Sequence, residues 1–234
     1  GKDAIPDYFD HQVELELQLR AKGKIEMLDS MLADLPKPGE MSFLRQMSPL
    51  GLGHAVWCAR EVIGDEPFAV MLPDVIIDAE RSGLGQLVDA YKSVGGNVIG
   101  VEPVPISETH KYGVIAPKAH SGVKDIGKLV EMTGMVEKPP QGTAPSNLAI
   151  SGRYILQPEI FDVLKNQETG AGGEIQLTDA MATLMKSQAF HALEYAGVTH
   201  DCGDKIGLLR ANVALALKRP DLGAAAREAV AALL

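Results

Sequence analysis

The chain has 234 residues, is 46% hydrophobic and carries a formal net charge of −9. That length and apolar content suffice for one sizeable core and suit a single α/β domain. The excess of acid, with no run of Lys or Arg, excludes nucleic acid or an anionic membrane as the main partner, and no stretch reaches the ~18 apolar residues of a membrane span. Small phosphorylated substrates stay compatible, because a site can be locally basic on an acidic protein. Cys58 and Cys202 are far apart and outside any CxxC pattern. They read as reduced thiols of a cytoplasmic protein. No signal-peptide pattern is visible.

Taken in chain order, Ile5–Ala21 is predicted as a helix, with Pro6 in its first turn and Phe9, Val13, Leu15, Leu17 and Leu19 as apolar positions. Lys24–Leu35 follows as a second helix, stopped by Pro36 and Pro38. Met41–Met47 reads as a strand, Gly51–Ile63 as a helix, and Phe68–Leu72 as a short apolar strand covered on both faces. Gly83–Val94 is helical in pattern and Asn97–Val101 is another buried strand. This alternation predicts an α/β fold with a mostly parallel central sheet and helices packed on its faces. Further on, Tyr112–Ile115 and Leu129–Val136 read as strands joined by a polar loop containing Gly and Lys. Leu148–Leu156 is again apolar, and a short helix follows around Pro158–Lys165. Glu174–Ser187 reads as a helix, Phe190–Tyr195 as a strand, and Lys205–Lys218 and Pro220–Leu234 as the last two helices. No repeat, low-complexity segment or clear linker interrupts the chain, so residues 1–234 read as one domain.

Sheets of this kind place ligands beyond the carboxyl ends of their strands. Asp74, in LPDV, follows the run Phe68–Leu72 directly. It reads either as a ligand for Mg²⁺, a hard cation that takes carboxylate oxygens and substrate phosphates, or as a turn cap. Asp201, in THDCGDK, is a second acid near a strand end and could share the metal. Asp204 competes for that role but also reads as the N-cap of the helix that follows, and His200 reads as a structural hydrogen-bonding group. The segment RQMSPLGLGHA, Arg45–Ala55, offers the amide of Gln46 for a base edge, and Gly51 and Gly53 for close backbone approach to a flat ligand. Glycines before a helix serve equally as turn residues. In VEKP, Val136–Pro139, Glu137 can accept from sugar hydroxyls and Lys138 can hold a phosphate, or the two can form an exposed ion pair before a turn. GAGGEIQLTDA, Gly170–Ala180, reads as a phosphate cradle or as a loop entering a helix.

Together, RQ…PLGLGHAV, LPDV, YGV, VEKP, APSNLAISGRYIL, GAGGEIQLTDA and HDCGDK occur here in an order that resembles the bacterial UTP–glucose-1-phosphate uridylyltransferases, or UDP-glucose pyrophosphorylases. The resemblance runs from Gly1 to about Arg219. It implies a Rossmann-like nucleotidyltransferase fold and transfer of a uridylyl group from UTP to glucose 1-phosphate, giving UDP-glucose and pyrophosphate. It implies further that Gln46, by its side chain, and Gly51, by its backbone, face the uracil. Asp74 and Asp201 would hold Mg²⁺. Tyr112 and the backbone of Gly113 would touch the glucose, Glu137 the sugar hydroxyls, and Lys138 the phosphate of glucose 1-phosphate. Asn147 would stand at the wall of the sugar pocket. The GxGTR and PKxM strings of the family, which grip the triphosphate, are not found, and the chain opens on a segment that resembles the stretch after the second strand of the family. A first β–α–β unit is therefore expected to be missing. The alternatives are another sugar-1-phosphate nucleotidyltransferase, such as one forming dTDP-glucose, or a sugar-nucleotide-binding module without activity. The stretch Leu222–Leu234, apolar on more than one helical face, is expected to pack in a homodimer or homotetramer.

Overall fold

A computed structural model describes residues 3–118 and 128–233, and the chain divides into two compact units, Gly1–Met47 and Ser48–Leu234. The polar loop expected between Ile115 and Leu129 falls largely on residues 119–127, outside the described residues.

The first unit contains helices α1 (Ala4–Tyr8), α2 (Val13–Ala21) and α3 (Ile25–Ala33). The single helix expected over Ile5–Ala21 is broken between Tyr8 and Val13, where the Phe9 N–H closes a short turn on the Pro6 carbonyl. Met41–Met47, expected as a strand, has no regular structure, and Met41, Phe43, Leu44 and Met47 are exposed. A strand needs a paired neighbour for its backbone groups, and none of the described strands pairs with this segment.

In the second unit, helix α4 (Leu52–Cys58) leads into the short α5 (Arg60–Ile63), where one helix was expected. Strand β1 (Phe68–Met71), strand β2 (Val75–Asp78), helix α6 (Gly83–Val94) and strand β3 (Asn97–Pro103) follow. After a 3₁₀ turn at Ile106–Lys111 come β4 (Gly113–Pro117), β5 (Lys128–Glu137), β6 (Leu148–Leu156), α7 (Ile160–Lys165) and α8 (Leu177–Leu184). The chain closes with β7 (Phe190–Glu194), β8 (Val198–Asp201), α9 (Lys205–Lys218) and α10 (Gly223–Ala231). Local chemistry sets several boundaries. Ser82 accepts from the Gly85 N–H to cap α6, and Gly95, with φ of 67°, ends it in the left-handed conformation that side chains avoid. Asp204 caps α9 by accepting from the Ile206 and Gly207 N–H groups, and Pro220 stands just past its end.

The main sheet has the order β1-β6-β3-β7-β5-β4. Among these strands only β3 and β7 pair in parallel; β6 lies antiparallel to both β1 and β3, and β5 to both β7 and β4. The α/β class and the helix-flanked sheet follow the expected pattern, and β1, β3, β7 and β4 share one direction. The pairing is nonetheless mixed, because β6 and β5 insert between strands that would otherwise be parallel neighbours. Alternation along β3 divides the core. Val98 faces α6 with Leu87 and Ala90, whereas Ile99 and Val101 face the cluster containing Leu164, Ala180 and Met181 of α7 and α8. Helices thus cover both faces, each burying apolar side chains worth roughly 1.5–3 kcal/mol apiece.

A second, two-stranded sheet pairs β2 with β8 antiparallel. Neither strand was predicted. Each has four residues and none of the continuous burial that marks β3.

Candidate active site

The small β2–β8 sheet brings the two acids together. Val75 pairs with Asp201 across it, and the Cys202 N–H donates to the Asp74 carbonyl at 2.7 Å. Asp74 therefore sits in the turn between β1 and β2, and Asp201 is the last residue of β8 rather than a residue following β7. Both are exposed. A Cβ placed on Gly203 would lie 3.1 Å from Asp201 Oδ1 and 3.2 Å from Asp74 Oδ2, so both carboxylates reach the same space beside Gly203. Asp201 Oδ1 also accepts from the Gly203 N–H at 3.0 Å. Asp204, the competing acid, is committed to capping α9. His200 projects to the opposite face of β8 from Asp201, because strand side chains alternate. It is buried, and its Nε2 has no hydrogen-bond partner among the described residues. Gly203 was not singled out from the sequence. The GD pair in HDCGDK is the available signal, since a Cβ at Gly203 would press on both carboxylates.

Sheet pairing builds a second group. Gly113, at the start of β4, is directly opposite Glu137, at the end of β5, and the Lys138 N–H donates to the Tyr112 carbonyl at 3.0 Å. Glu137 Oε2 lies 2.9 Å from where a Gly113 Cβ would be, and it accepts from the Thr178 hydroxyl at 2.7 Å. Thr178 is buried and projects from α8. Thr178 lies within the QLTDA string, where nothing local distinguishes it from a helix-entry residue. Lys138 is exposed and has φ of 44°, the one positive φ outside glycine among the described residues. Such a backbone is costly for a side-chain-bearing residue and tends to mark functional positions. It ends β5 and turns the chain toward Pro139. Asn147 is exposed just before β6, and its carbonyl accepts from the Val104 N–H at 2.9 Å.

A cavity of about 720 Å³ touches each group at one residue, and Asp74, Gly113, Glu137 and Lys138 are not among its walls. Asp201 and Tyr112 both line it, with Glu102, Lys111 and Arg210 among its other walls. Burial raises the Tyr112 hydroxyl above its ordinary range, and Asp201 adds to the shift. Burial likewise raises the Glu102 carboxyl; a hydrogen bond with Thr199 opposes the rise and Asp201 reinforces it.

Gly51, with φ of 101°, precedes α4 and packs against the segment before α8. A Cβ there would come within 2.7 Å of the Glu174 Cβ, while the Ile175 N–H donates to the Leu50 carbonyl and the Gly53 N–H to the Ile175 carbonyl. The Gly-rich segment Gly170–Gly173 thus leads into a strap that fastens α4 beside α8. Gln46 belongs to the first unit.

Two exposed carboxylates, one of them on a cavity, and a Glu–Lys strand end near Tyr112 offer groups of the kind that anionic, hydroxylated ligands and a hard cation would use. Among the described residues no group of three or more His, Cys, Asp or Glu side chains gathers. A pair of carboxylate oxygens suits a divalent ion that completes its shell with water and phosphate.

A family model described as nucleotidyl transferase matches residues 11–217. The chain is 48% identical to the UTP–glucose-1-phosphate uridylyltransferase of Bacillus subtilis (strain 168), over 95% of this chain and 74% of that one. It superposes on a UTP-bound UGPase from Acinetobacter baumannii with a TM-score of 0.86 at 38% identity, covering 99% of this chain and 79% of that one. On a UDP-glucose pyrophosphorylase complexed with UDP-glucose the TM-score is 0.78 at 35% identity, covering 94% and 78%. The chain therefore belongs to the nucleotidyl transferase family, among its UTP–glucose-1-phosphate uridylyltransferases. Nucleotidyltransferases of this family generally use a divalent metal.

Proposed function

We propose that this chain transfers the uridylyl group of UTP to glucose 1-phosphate, forming UDP-glucose and pyrophosphate, with Mg²⁺ as its metal and in the cytoplasm, where these charged substrates are held. The carrying observation is the approach of Asp74 and Asp201 to Gly203, with Asp201 lining a cavity that is also lined by Tyr112, the neighbour of the Gly113–Glu137 pair. The family match crosses both compact units, which supports reading them as parts of one nucleotidyltransferase domain.

In this reaction a phosphate oxygen of glucose 1-phosphate forms a bond to the α-phosphorus of UTP. The bond from that phosphorus to the bridging oxygen of the β-phosphate breaks, and pyrophosphate leaves with the electron pair. The attacking group is already an anion, so no general base is required. The task of the protein is to hold two polyanions in line and to offset their charge. A divalent ion held by Asp74 and Asp201 would supply much of that neutralisation. Mg²⁺ fits because it binds through one or two carboxylates and keeps its other positions for water and phosphate. Lys138 would pair with the phosphate of glucose 1-phosphate, where its ammonium is a compact point charge. Glu137, with one oxygen engaged by Thr178, would accept from a sugar hydroxyl, and Tyr112, the backbone of Gly113, and Asn147 would complete the sugar contacts. Gln46 and the backbone of Gly51 would take the uracil edge.

The test is an assay of the full-length protein with Mg²⁺, UTP and glucose 1-phosphate. UDP-glucose and pyrophosphate should appear in equal amounts, with dTTP a poor substitute. Tight UDP-glucose binding without turnover would support a binding module instead, and preference for dTTP would support a thymidylyltransferase.

A further inference from the structure

The turn that carries Asp74 is held from below by a buried guanidinium. Arg153 lies in β6 opposite Met71, the last residue of β1, and only 7% of it is exposed. Its Nη1 donates to the Leu72 carbonyl at 2.8 Å and to the Gly152 carbonyl at 3.2 Å, and its Nη2 donates to the Val75 carbonyl. The guanidinium thereby bridges the carbonyls on either side of Pro73–Asp74. The Cys202 N–H donates to the carbonyl of Asp74 itself, so the carbonyls of Leu72, Asp74 and Val75 all accept hydrogen bonds.

The sheet is deformed to permit this. Pairing of β3 with β6 slips between Ile99↔Tyr154 and Val101↔Ile150, so that Ser151, Gly152 and Arg153 together face Gly100. Bulges of this kind re-aim side chains and occur beside active sites. Two glycines make it feasible. Gly152 has φ of 71°, and a Cβ there would be 2.9 Å from the Leu72 Cδ1, whose residue's N–H donates to the Gly152 carbonyl. A Cβ on Gly100 would be 3.2 Å from that of Arg153.

Burying a guanidinium is expensive unless something offsets it. Among the described residues Arg153 forms no ion pair, and its bonds go to carbonyls alone. Burial lowers its pKa, while Tyr195 and Asp74 act the other way. A strand residue needed only for packing would be apolar. The planar fork of an Arg, with donors in fixed directions, is what two carbonyls three residues apart require, and a Lys ammonium cannot copy it.

We propose that Arg153 is a positioning residue: its clamp on the Leu72 and Val75 carbonyls presents the Asp74 carboxylate toward Asp201 for the shared metal. This rests on the reading of Asp74 as a metal ligand. Residues that orient metal ligands typically change metal affinity by about 10–100-fold when replaced. Arg153→Lys should therefore weaken Mn²⁺ binding, followed by electron paramagnetic resonance in the presence of UTP, by about tenfold or more. UTP affinity measured in EDTA, and the circular dichroism spectrum, should stay as in the wild type. In an Asp74→Asn background the same change should have little further effect on Mn²⁺ affinity, because the residue acts through that carboxylate. Loss of thermal stability with unchanged Mn²⁺ affinity would overturn the proposal, as would an undiminished effect in the Asp74→Asn background. Should Asp74→Asn alone leave Mn²⁺ affinity intact, the ligand reading itself fails and the proposal falls with it. If Arg153→Lys does not fold, the unchanged protein still decides the matter. Its Arg153 Nη protons should exchange slowly with solvent, and more slowly still when Mg²⁺ and UTP are added together. Exchange indifferent to the metal would reject the clamp.

Discussion

Glu137 can offer a sugar only the directions that Thr178 leaves free, because the Thr178 hydroxyl already donates to its Oε2 at 2.7 Å. Removing that donor frees the carboxylate to rotate and forfeits a charge-assisted bond. Thr178→Val keeps the shape of the buried side chain, so it should raise the KM for glucose 1-phosphate by about tenfold or more, equivalent to the ~1.5 kcal/mol or more of a hydrogen bond to a charged group. The KM for UTP should not move; a parallel rise in both would point to a general loosening of α8. The two acids proposed to hold the metal are expected to act differently, on turnover. Asp74→Asn keeps a turn-forming side chain but takes one negative charge from the ion. Turnover should fall by about a hundredfold or more, each ~1.36 kcal/mol of lost transition-state stabilisation being tenfold. Asp201→Asn should resemble it, and the double variant should be little worse than either, as expected of residues acting through one ion. Near-normal Mg²⁺-dependent synthesis by Asp74→Asn would remove this residue from the mechanism.

At the scale of elements, α9 is the helix whose surface is least accounted for. Of its residues only Ala211 is buried, while Ile206, Leu208, Leu209 and Leu215 are exposed and point to more than one side. Leu222, at the entry to α10, is exposed as well. An isolated surface helix presents one apolar stripe and a polar back, and exposed apolar surface on several sides is characteristic of association. These helices are expected to pack in a homodimer or homotetramer. Light scattering at micromolar concentration should give a multiple of the 24.9 kDa chain mass. Leu209→Glu should shift the protein toward the monomer without loss of helix content. A monomer in the unsubstituted protein would dispose of the idea. The two smallest strands teach the opposite lesson. β2 and β8 have few buried residues, yet their pairing sets Val75 beside Asp201 and so brings the two acids near each other, which makes their stability bear on the proposed site more than on the core.

For the whole molecule, His191 makes stability depend on pH. It lies buried in β7 with Nδ1 unpartnered among the described residues, and burial lowers its pKa, with Glu131 opposing. A folded pKa below the unfolded one means that the unfolded state binds more protons, so stability rises with pH. The contribution is fully present above the ordinary histidine range, near ~6.5, and is lost as pH falls through the lower folded value. Melting temperature should therefore drop between pH 7 and 5, and His191→Phe should flatten that drop; an equal slope in both proteins would exonerate the histidine. Much else was legible from residues close together in sequence. Gly83–Val94 and Lys205–Lys218 are helices over the expected residues because apolar spacing, the caps Ser82 and Asp204, and the stops Gly95 and Pro220 are all local signals. Leu148–Leu156 is a strand because its apolar run cannot be exposed, and the ordered strings from RQ to HDCGDK point to the family; the roles of Asp74, Glu137 and Lys138 rest on those strings as proposals. What local pattern could not convey is which strand neighbours which. The mixed order of the sheet, the failure of Met41–Met47 to form a strand, the β2–β8 pair and the bulge that turns Arg153 beneath Asp74 all depend on partners tens of residues away. Backbone hydrogen bonds across a sheet are indifferent to side-chain identity, so their choice is made only when the distant segments are packed together, and the tertiary structure alone decided them.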